Sequence, residues 1–456
     1  MNIYIGIEIK IRELESRLLL ALEAAERGHT VVLGCKTETV DLASTGVLKP
    51  GLVHDKSITP SGKNIGVFRG LKDNGCILTS QDEEHGLFHE SYDKFASQRF
   101  SEKTLQFAEK VFCWGKHDIK PLQRIFPEFN EKFKLTGSPR VDLWRPEFNT
   151  SYLSIGKNHA LSFKKKYGEY ILMPSNFILV LNEIPLWYRI KSKRNRGYYK
   201  KTEYEYDDYY EVAWRVELLA KIIKFIRRLS TEYPDKKIVI RPHPLEAMDA
   251  WPDIIGQVDN VHITREGSIN SWIINATHVM HNGCTSGFEA SASNIPVLAL
   301  RFIPSIFEQV IPNSVGFSAF TEDQAIEIVN KIITNKHMEK RSIFRPKEAE
   351  QILNFHFCNL KGKFAFEKIV DEWEEINQHH LYESNNWDAV VAFINRNKED
   401  SIDTGIITQR ANLFHKFPSI EKEELNNIIL KYQKSLDRFF NLKLKRLGRR
   451  SFIINN

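Results

Sequence analysis

Apolar and polar positions along this chain switch between two periods. Ile3–Ile9 is a short run rich in β-branched residues and reads as a strand. Over Glu13–Arg27, Leu14, Leu18, Leu22 and Ala25 recur at helical spacing, and Gly28 ends the predicted helix. Thr30–Leu33 returns to strand. A strand, a helix and a strand in that order open a parallel, doubly wound sheet. Further strands are predicted at Asn64–Phe68, Gly75–Thr79, Lys110–Trp114 and Phe133–Thr136, which makes residues 1–148 one Rossmann-like domain. The pattern starts again near Gly168, with strands at Tyr170–Pro174, Lys237–Arg241, Val261–Thr264, Thr277–His281 and Ile295–Leu300. Residues 165–345 are thus a second Rossmann-like domain. A polar insert over 187–210, rich in Lys, Arg and Tyr, interrupts it, and a helix over about 211–230 follows. From about 321 the pattern is mainly helical, so 346–456 is predicted as a helical C-terminal region. No repeat of 20–50 residues is visible.

Composition narrows the class. The 456 residues are 42% hydrophobic and 27% charged, which excludes a disulfide miniprotein, a collagen-like chain and wholesale disorder. A net charge of +6 is too small to imply nucleic acid unless it is clustered. Cys35, Cys76, Cys113, Cys284 and Cys358 are odd in number and scattered, with no C-x-x-C, which argues against a zinc or disulfide framework and for a reducing compartment. The first residues lack the order of a signal peptide, and no stretch reaches about 18 uninterrupted apolar residues. The expectation is a cytoplasmic protein, at most peripheral to the inner membrane.

Four local patterns carry candidate chemistry. In IVIRPHP, a strand ends in Arg241-Pro242-His243-Pro244. Open α/β sheets bind ligands at that end of their strands, so Arg241 and His243 are candidates to meet a phosphate or protonate a leaving group. In HNGCTSGFEAS, Asn282 and Gly283 follow a strand, and Thr285 and Ser286 stand where they can cap the next helix and favour phosphate. Glu289, one turn in, is a candidate for a ribose. Ser175 and Asn176, at the end of the domain's first strand, are placed to contact a nucleotide. In DEEHG, the carboxylates Asp82, Glu83 and Glu84 crowd one strand end, where repulsion raises a pKa toward acid–base work. Asp207 and Asp208 close the polar insert. Each pattern also has an ordinary reading: a rigid turn, a capped helix, a solvated acidic loop.

Together these motifs resemble the surface carbohydrate biosynthesis proteins of bacteria, a branch of the GT-B glycosyltransferases. The likeness runs over about residues 1–380 through IGIEIKIRELESRLLLALEAAERGH, DEEHG, FCWGKHD, KLTGSPRVD, RPHP and HNGCTSGFEA. It implies two Rossmann-like domains facing a cleft with a C-terminal helical extension. More distantly, the acidic-glycine and HP motifs resemble those of the retaining Kdo transferases. That likeness implies transfer of Kdo from CMP-Kdo to a glycan or lipid-linked glycan acceptor in lipopolysaccharide O-antigen or capsule synthesis. His243 would serve the CMP phosphate, Glu83 would be catalytic, and Asp207 or Asp208 would be the nucleophile of a double displacement. Glu8, Arg12 and Glu13, with Asp82 and Glu84, would face the acceptor. No cofactor or metal is required, since the CMP-sugar is the donor substrate. The alternatives are a CDP-alcohol phosphotransferase of the teichoic-acid type and an epimerase-like or non-catalytic member of the fold. The last 26 residues hold eight basic residues against one acid, interleaved with Leu436, Phe439, Phe440, Leu442, Leu444 and Leu447. A basic helix with an apolar stripe can lie on an anionic membrane, so 431–456 is a candidate to dock there; the alternatives are a terminal helix packed on the protein and a frayed tail.

Overall fold

The structure is a computed structural model describing residues 1–83, 92–148, 160–195, 199, 203–334, 346–376, 379–396 and 417–456. The chain divides into two compact units, Met1–Ser151 with Asn354–Asn456, and Tyr152–Leu353. The strands in chain order are β1 (Asn2–Ile7), β2 (Thr30–Cys35), β3 (Leu52–Asp55), β4 (Ile77–Ser80), β5 (Ala108–Cys113), β6 (Phe133–Leu135), β7 (Tyr170–Pro174), β8 (Lys237–Arg241), β9 (Val261–Ile263), β10 (Ala276–His281), β11 (Val297–Leu300), β12 (Phe317–Ala319), β13 (Lys443–Gly448) and β14 (Ser451–Asn455).

The first unit is an eight-stranded sheet in the order β13-β14-β2-β1-β3-β4-β5-β6. β1 to β6 pair in parallel, and their residues are almost wholly buried because helices cover both faces. The helix Lys10–Glu26 connects β1 to β2 and buries Leu14, Leu18, Leu19 and Leu22. Two sequence expectations change here. Asn64–Phe68 lies inside the helix Gly62–Asp73, which starts at Ser61, whose hydroxyl accepts the Asn64 N–H at 3.2 Å. An N-cap bond of that kind outweighs the short apolar run that suggested a strand. The missing strand is β3.

The C-terminal residues are also corrected. They are a helix Lys422–Leu436 followed by the hairpin β13–β14, not a basic helix over 431–456. Asp437 and Phe439 take left-handed backbone angles that end the helix. β14 pairs antiparallel with β2 through Phe452–Leu33, Ile453–Val32 and Ile454–Val31. Phe439 and Leu447 are buried, and Arg438 is paired with Glu23, Glu26 and Glu367. Lys431, Arg446 and Arg450 also have carboxylate partners in this unit, whereas Phe440, Lys434, Lys443, Lys445 and Arg449 are exposed. Among the described residues no helix is long and apolar enough to cross a membrane.

The second unit is a six-stranded parallel sheet in the order β12-β11-β10-β7-β8-β9. The chain runs from β7 to β8 and β9 on one side, then returns to place β10, β11 and β12 on the other. The strand order therefore reverses between β7 and β10. The insert expected over 187–210 holds the helix Leu186–Asn195 and the first turns of a 30-residue helix, Glu203–Glu232. Leu218, Ile222, Phe225, Ile226 and Leu229 of that long helix pack into this unit's core.

Candidate functional site

The reversal point of the second sheet concentrates the motif residues. Open α/β sheets leave a crevice there, at the carboxyl ends of the strands. The loops after β7, β10 and β8, three adjacent strands, are tied to one another. Asn176 Nδ2 donates to the Gly283 carbonyl at 3.1 Å, and Asn282 Nδ2 donates to the Asn176 carbonyl at 3.4 Å. Arg215, on the long helix, reaches the same Asn176 carbonyl at 3.1 Å and is held by Glu211 at 2.9 Å. The Ser175 N–H donates to the Arg241 carbonyl at 2.9 Å. Thus Ser175, Asn176, Arg241, Asn282 and Gly283 belong to one connected surface.

Glu246 organises it. Its carboxylate is buried and accepts from Ser175 Oγ at 2.7 Å, Phe177 N at 2.6 Å and Trp251 Nε1 at 2.9 Å. Arg265 clamps the next segment, donating to the His243 carbonyl at 2.6 Å, the Pro242 carbonyl at 3.3 Å and the Glu246 carbonyl. Sequence reading found neither residue, because nothing in their spacing marks them. Arg241 braces the loop after β9 by donating to the carbonyls of Glu266, at 2.7 Å, and Gly267. Burial, with Arg265 nearby, lowers its pKa to about 10, so it stays charged near neutrality.

The two histidines here are neutral. His243 Nδ1 accepts the Leu245 N–H at 3.1 Å, which leaves the ring proton on Nε2. Burial and then the Arg265 charge lower its pKa to about 4. It can donate a hydrogen bond to an anion near neutrality, but it holds no spare proton for a leaving group. His281, buried at the end of β10, accepts the N–H groups of Gly283 and Cys284, each at 3.1 Å. It thereby fixes the turn, in which Gly283 has φ +83°. Burial lowers its pKa to about 4. A Cβ at Gly287 would stand 2.7 Å from its Nε2, so glycine is required where the next helix crosses the ring. That helix, Ser286–Ala292, has Thr285 at its N-cap without the side-chain bond expected from the sequence. Ser286 Oγ instead accepts from Cys284 Sγ at 3.3 Å. Glu289 is buried, and its charge acts against the loss of Arg241's proton.

In the first unit, Glu83 follows β4 and pairs with Arg17 at 2.7 Å, both nearly inaccessible to solvent. Arg17 also donates to the Gln81 carbonyl at 3.3 Å. Glu13 is fully buried and accepts the Glu8 N–H at 2.8 Å. Burial and then the charge of Glu83 raise its pKa, against Lys56 and Arg17. Lys56 bonds Glu8 at 2.8 Å and lies 3.8 Å from Glu13, while Arg12 lies 3.9 Å from Glu13. Asp82 is 3.7 Å from Arg99. Five of the named candidates, Glu8, Arg12, Glu13, Asp82 and Glu83, therefore lie in one unit at the carboxyl ends of β1 and β4. Arg17 and Lys56 were missed, although Arg17 follows Glu13 at helical spacing. Glu84 lies outside the described residues.

Asp207 and Asp208 stand on the long helix. Asp208 accepts from Lys193 at 2.7 Å and from the Tyr199 hydroxyl, and Asp207 is exposed. The Asp208 carboxylate is accounted for by the helical insert itself. Among the described residues, no group of three His, Cys, Asp or Glu residues could hold a metal ion. All five cysteines are free thiols.

No protein-family model matches the chain, and no curated protein matches it. Solved structures do. A Listeria monocytogenes protein named as a candidate UDP-N-acetylglucosamine 2-epimerase matches at 14% identity over 82% of this chain and 97% of that one, with a TM-score of 0.51. This is a GT-B-type fold. The UDP-GlcNAc 2-epimerase of Methanocaldococcus jannaschii matches at 14% identity over 82% and 99% of the two chains, with a TM-score of 0.49. The wall teichoic acid polymerase TagF matches at 9% over 72% and 73%, with a TM-score of 0.41. The expectation of a CMP-Kdo glycosyltransferase is corrected: the match with a TM-score of 0.51 is named for a UDP-N-acetylglucosamine 2-epimerase, not for a Kdo transferase. The physical reason is that a loop motif at a strand-order reversal reports a place to bind, which transfer and isomerisation share. The nucleophile role of Asp207 or Asp208 belonged to the transfer reading and goes with it.

Proposed function

We propose that this protein is an enzyme of nucleotide-activated sugars, of the epimerase-like kind, in bacterial surface carbohydrate synthesis. The observation that carries the reading is the connected surface at the reversal point of the second sheet. There Asn176, Asn282, Thr285 and Ser286 offer amide and hydroxyl groups, Gly283 shapes the turn, and neutral His243 offers a ring N–H. These suit a nucleotide diphosphate, with Glu289 toward a ribose. Within the first unit, the carboxyls of Glu13 and Glu83 are the candidate acid–base groups. Inverting a ring carbon takes a proton from one face and returns one to the other, which calls for two groups of this sort, and burial raises the pKa of Glu13. The fold likeness to a UDP-N-acetylglucosamine 2-epimerase supports a UDP-sugar.

The test is proton NMR of UDP-GlcNAc incubated with the protein in deuterated water. The expected result is deuterium at C2 and a second UDP-hexosamine. Glu83→Gln should slow that exchange by about 10²-fold or more, the scale of losing an acid–base group, with UDP binding retained. Tight binding of CMP without binding of UDP, or no exchange at C2, overturns the proposal.

A further inference from the structure

The helix Leu186–Asn195 follows the loop after β7 in the second unit and sorts its side chains into two sides. At about 100° per residue, Trp187, Tyr188, Lys191, Arg194 and Asn195 fall within one sector of about 120°. All five are exposed, Trp187 to 63% and Tyr188 to 53%. Leu186, Arg189, Ile190, Ser192 and Lys193 fill the rest of the turn, and each is buried or half-buried. The inward cations are committed: Arg189 donates to the Leu179 carbonyl, and Lys193 pairs with Asp208 at 2.7 Å. On the outward side the rings of Trp187 and Tyr188 meet edge to face, with centroids 5.7 Å apart. The other seven tryptophans of the chain are buried or half-buried. Ile184 and Pro185, just before the helix, are exposed as well. The neighbouring loop, whose Ala247 N–H donates to the Leu181 carbonyl at 2.7 Å, exposes Leu245 and Met248. A surface helix ordinarily turns polar side chains outward, so a side that leads with tryptophan and tyrosine suits a partner.

The charge of this segment identifies the partner. Between Glu183 and Glu203 the sequence holds seven Lys or Arg and no Asp or Glu. The outward side of the helix carries Lys191 and Arg194, and no acidic residue belongs to it. Glu183, the acid just before it, stands close enough to Arg265 for the two charges to act on each other. A protein partner suits such a side poorly, because the centre of a protein interface is depleted of charge, and of lysine in particular. The headgroup layer of an anionic bilayer suits it well. Tryptophan and tyrosine settle at that depth, with the ring toward the acyl chains and the polar tip in water. Lysine and arginine lay their stems along the apolar surface and reach lipid phosphates with their charged ends.

We propose that the outward side of the helix Leu186–Asn195 docks this protein on an anionic lipid bilayer, with Trp187, Tyr188, Lys191 and Arg194 as its contacts. The test is co-sedimentation of the full chain with vesicles of phosphatidylglycerol and phosphatidylcholine in equal parts, and with vesicles of phosphatidylcholine alone. Binding to the mixed vesicles is expected to be about tenfold or more the stronger, and to weaken as salt is raised. Lys191→Ala combined with Arg194→Ala should weaken it by about thirtyfold, roughly fivefold for each cation. Trp187→Ala combined with Tyr188→Ala should weaken it by about tenfold or more, with circular dichroism unchanged because both rings are exposed. Tryptophan emission should shift to the blue when the mixed vesicles are added, and the shift should vanish in Trp187→Phe. UDP binding should be unchanged in both double variants. No binding to the mixed vesicles overturns the proposal. So does binding that neither double variant weakens, or a spectral shift that survives Trp187→Phe. Binding to heparin with none to vesicles would assign the cations to a soluble polyanion and overturn it. Loss of UDP binding in the double variants, with vesicle binding intact, would assign the face to the nucleotide site and overturn it as well.

Discussion

The Nδ1 atom of His243 is committed to the Leu245 N–H, and burial beside Arg265 holds the ring neutral down to about pH 4. A neutral imidazole binds an anion through one hydrogen bond and gains no charge as the pH falls through the ordinary histidine range. UDP-GlcNAc, whose diphosphate carries no group titrating there, should therefore bind with nearly constant affinity between about pH 8 and pH 5.5. His243→Ala should weaken binding roughly tenfold, the scale of one hydrogen bond to a charged group. Calorimetric titration across that range checks both. Affinity that climbs tenfold on acidification, and loses that climb in His243→Ala, would show an ordinary imidazolium. Single residues like this one are where the sequence was least informative. RPHP marks a strand end, but the tautomer depends on a bond within the turn and on Arg265, which comes from another loop.

Among the elements, the hairpin β13–β14 decides how the C-terminal residues are used. β14 covers the edge of β2, and a Cβ at Gly34 would meet the Arg450 carbonyl at 2.5 Å, so the two backbones lie close. Removing residues 437–456 uncovers a parallel-sheet edge that is apolar on both sides. The truncated chain should melt several degrees lower and aggregate, because about 1 kcal/mol moves the midpoint of a large domain by roughly 2–4 °C and an open edge templates pairing. Scanning calorimetry and light scattering read these effects. Co-sedimentation with anionic vesicles should show no loss of binding on truncation; a loss would return the tail to the membrane. The sequence showed eight basic residues but could not show that several already have carboxylate partners, which come from Glu23, Glu26, Glu38, Glu367 and Glu421.

Across the whole molecule, buried histidines set an acid limit on stability. His54 in the first unit and His278 and His281 in the second are buried, and desolvation lowers each pKa, His278 to about 3 and His281 to about 4. In the unfolded chain they titrate near 6.5. The folded state thus binds fewer protons than the unfolded state below that value. Their contribution is complete above about pH 6.5 and is lost as the pH falls toward the folded values, at up to about 1.4 kcal/mol per pH unit for each fully buried ring. Thermal midpoints measured from about pH 7 down to pH 4.5 should decline steadily over that window. A midpoint unchanged between those limits would mean that these rings are protonated in the fold.

The sequence by itself determined most of the parallel strands of both sheets, though not β3 or the hairpin β13–β14, since buried strands and amphipathic helices each carry a local period. β7 and β8 have the bounds that their apolar runs predict. It also marked most residues of the connected surface, because glycine, proline and small polar residues after a strand describe a loop end. Tertiary structure alone decided which charges meet. Arg17 and Glu83 are far apart in the chain and 2.7 Å apart in the fold. Glu246 reads as an ordinary loop carboxylate until Ser175, Phe177 and Trp251 surround it. Periodicity records how each segment faces the core. Electrostatic partners are set by crossover connections, which leave no period in the sequence.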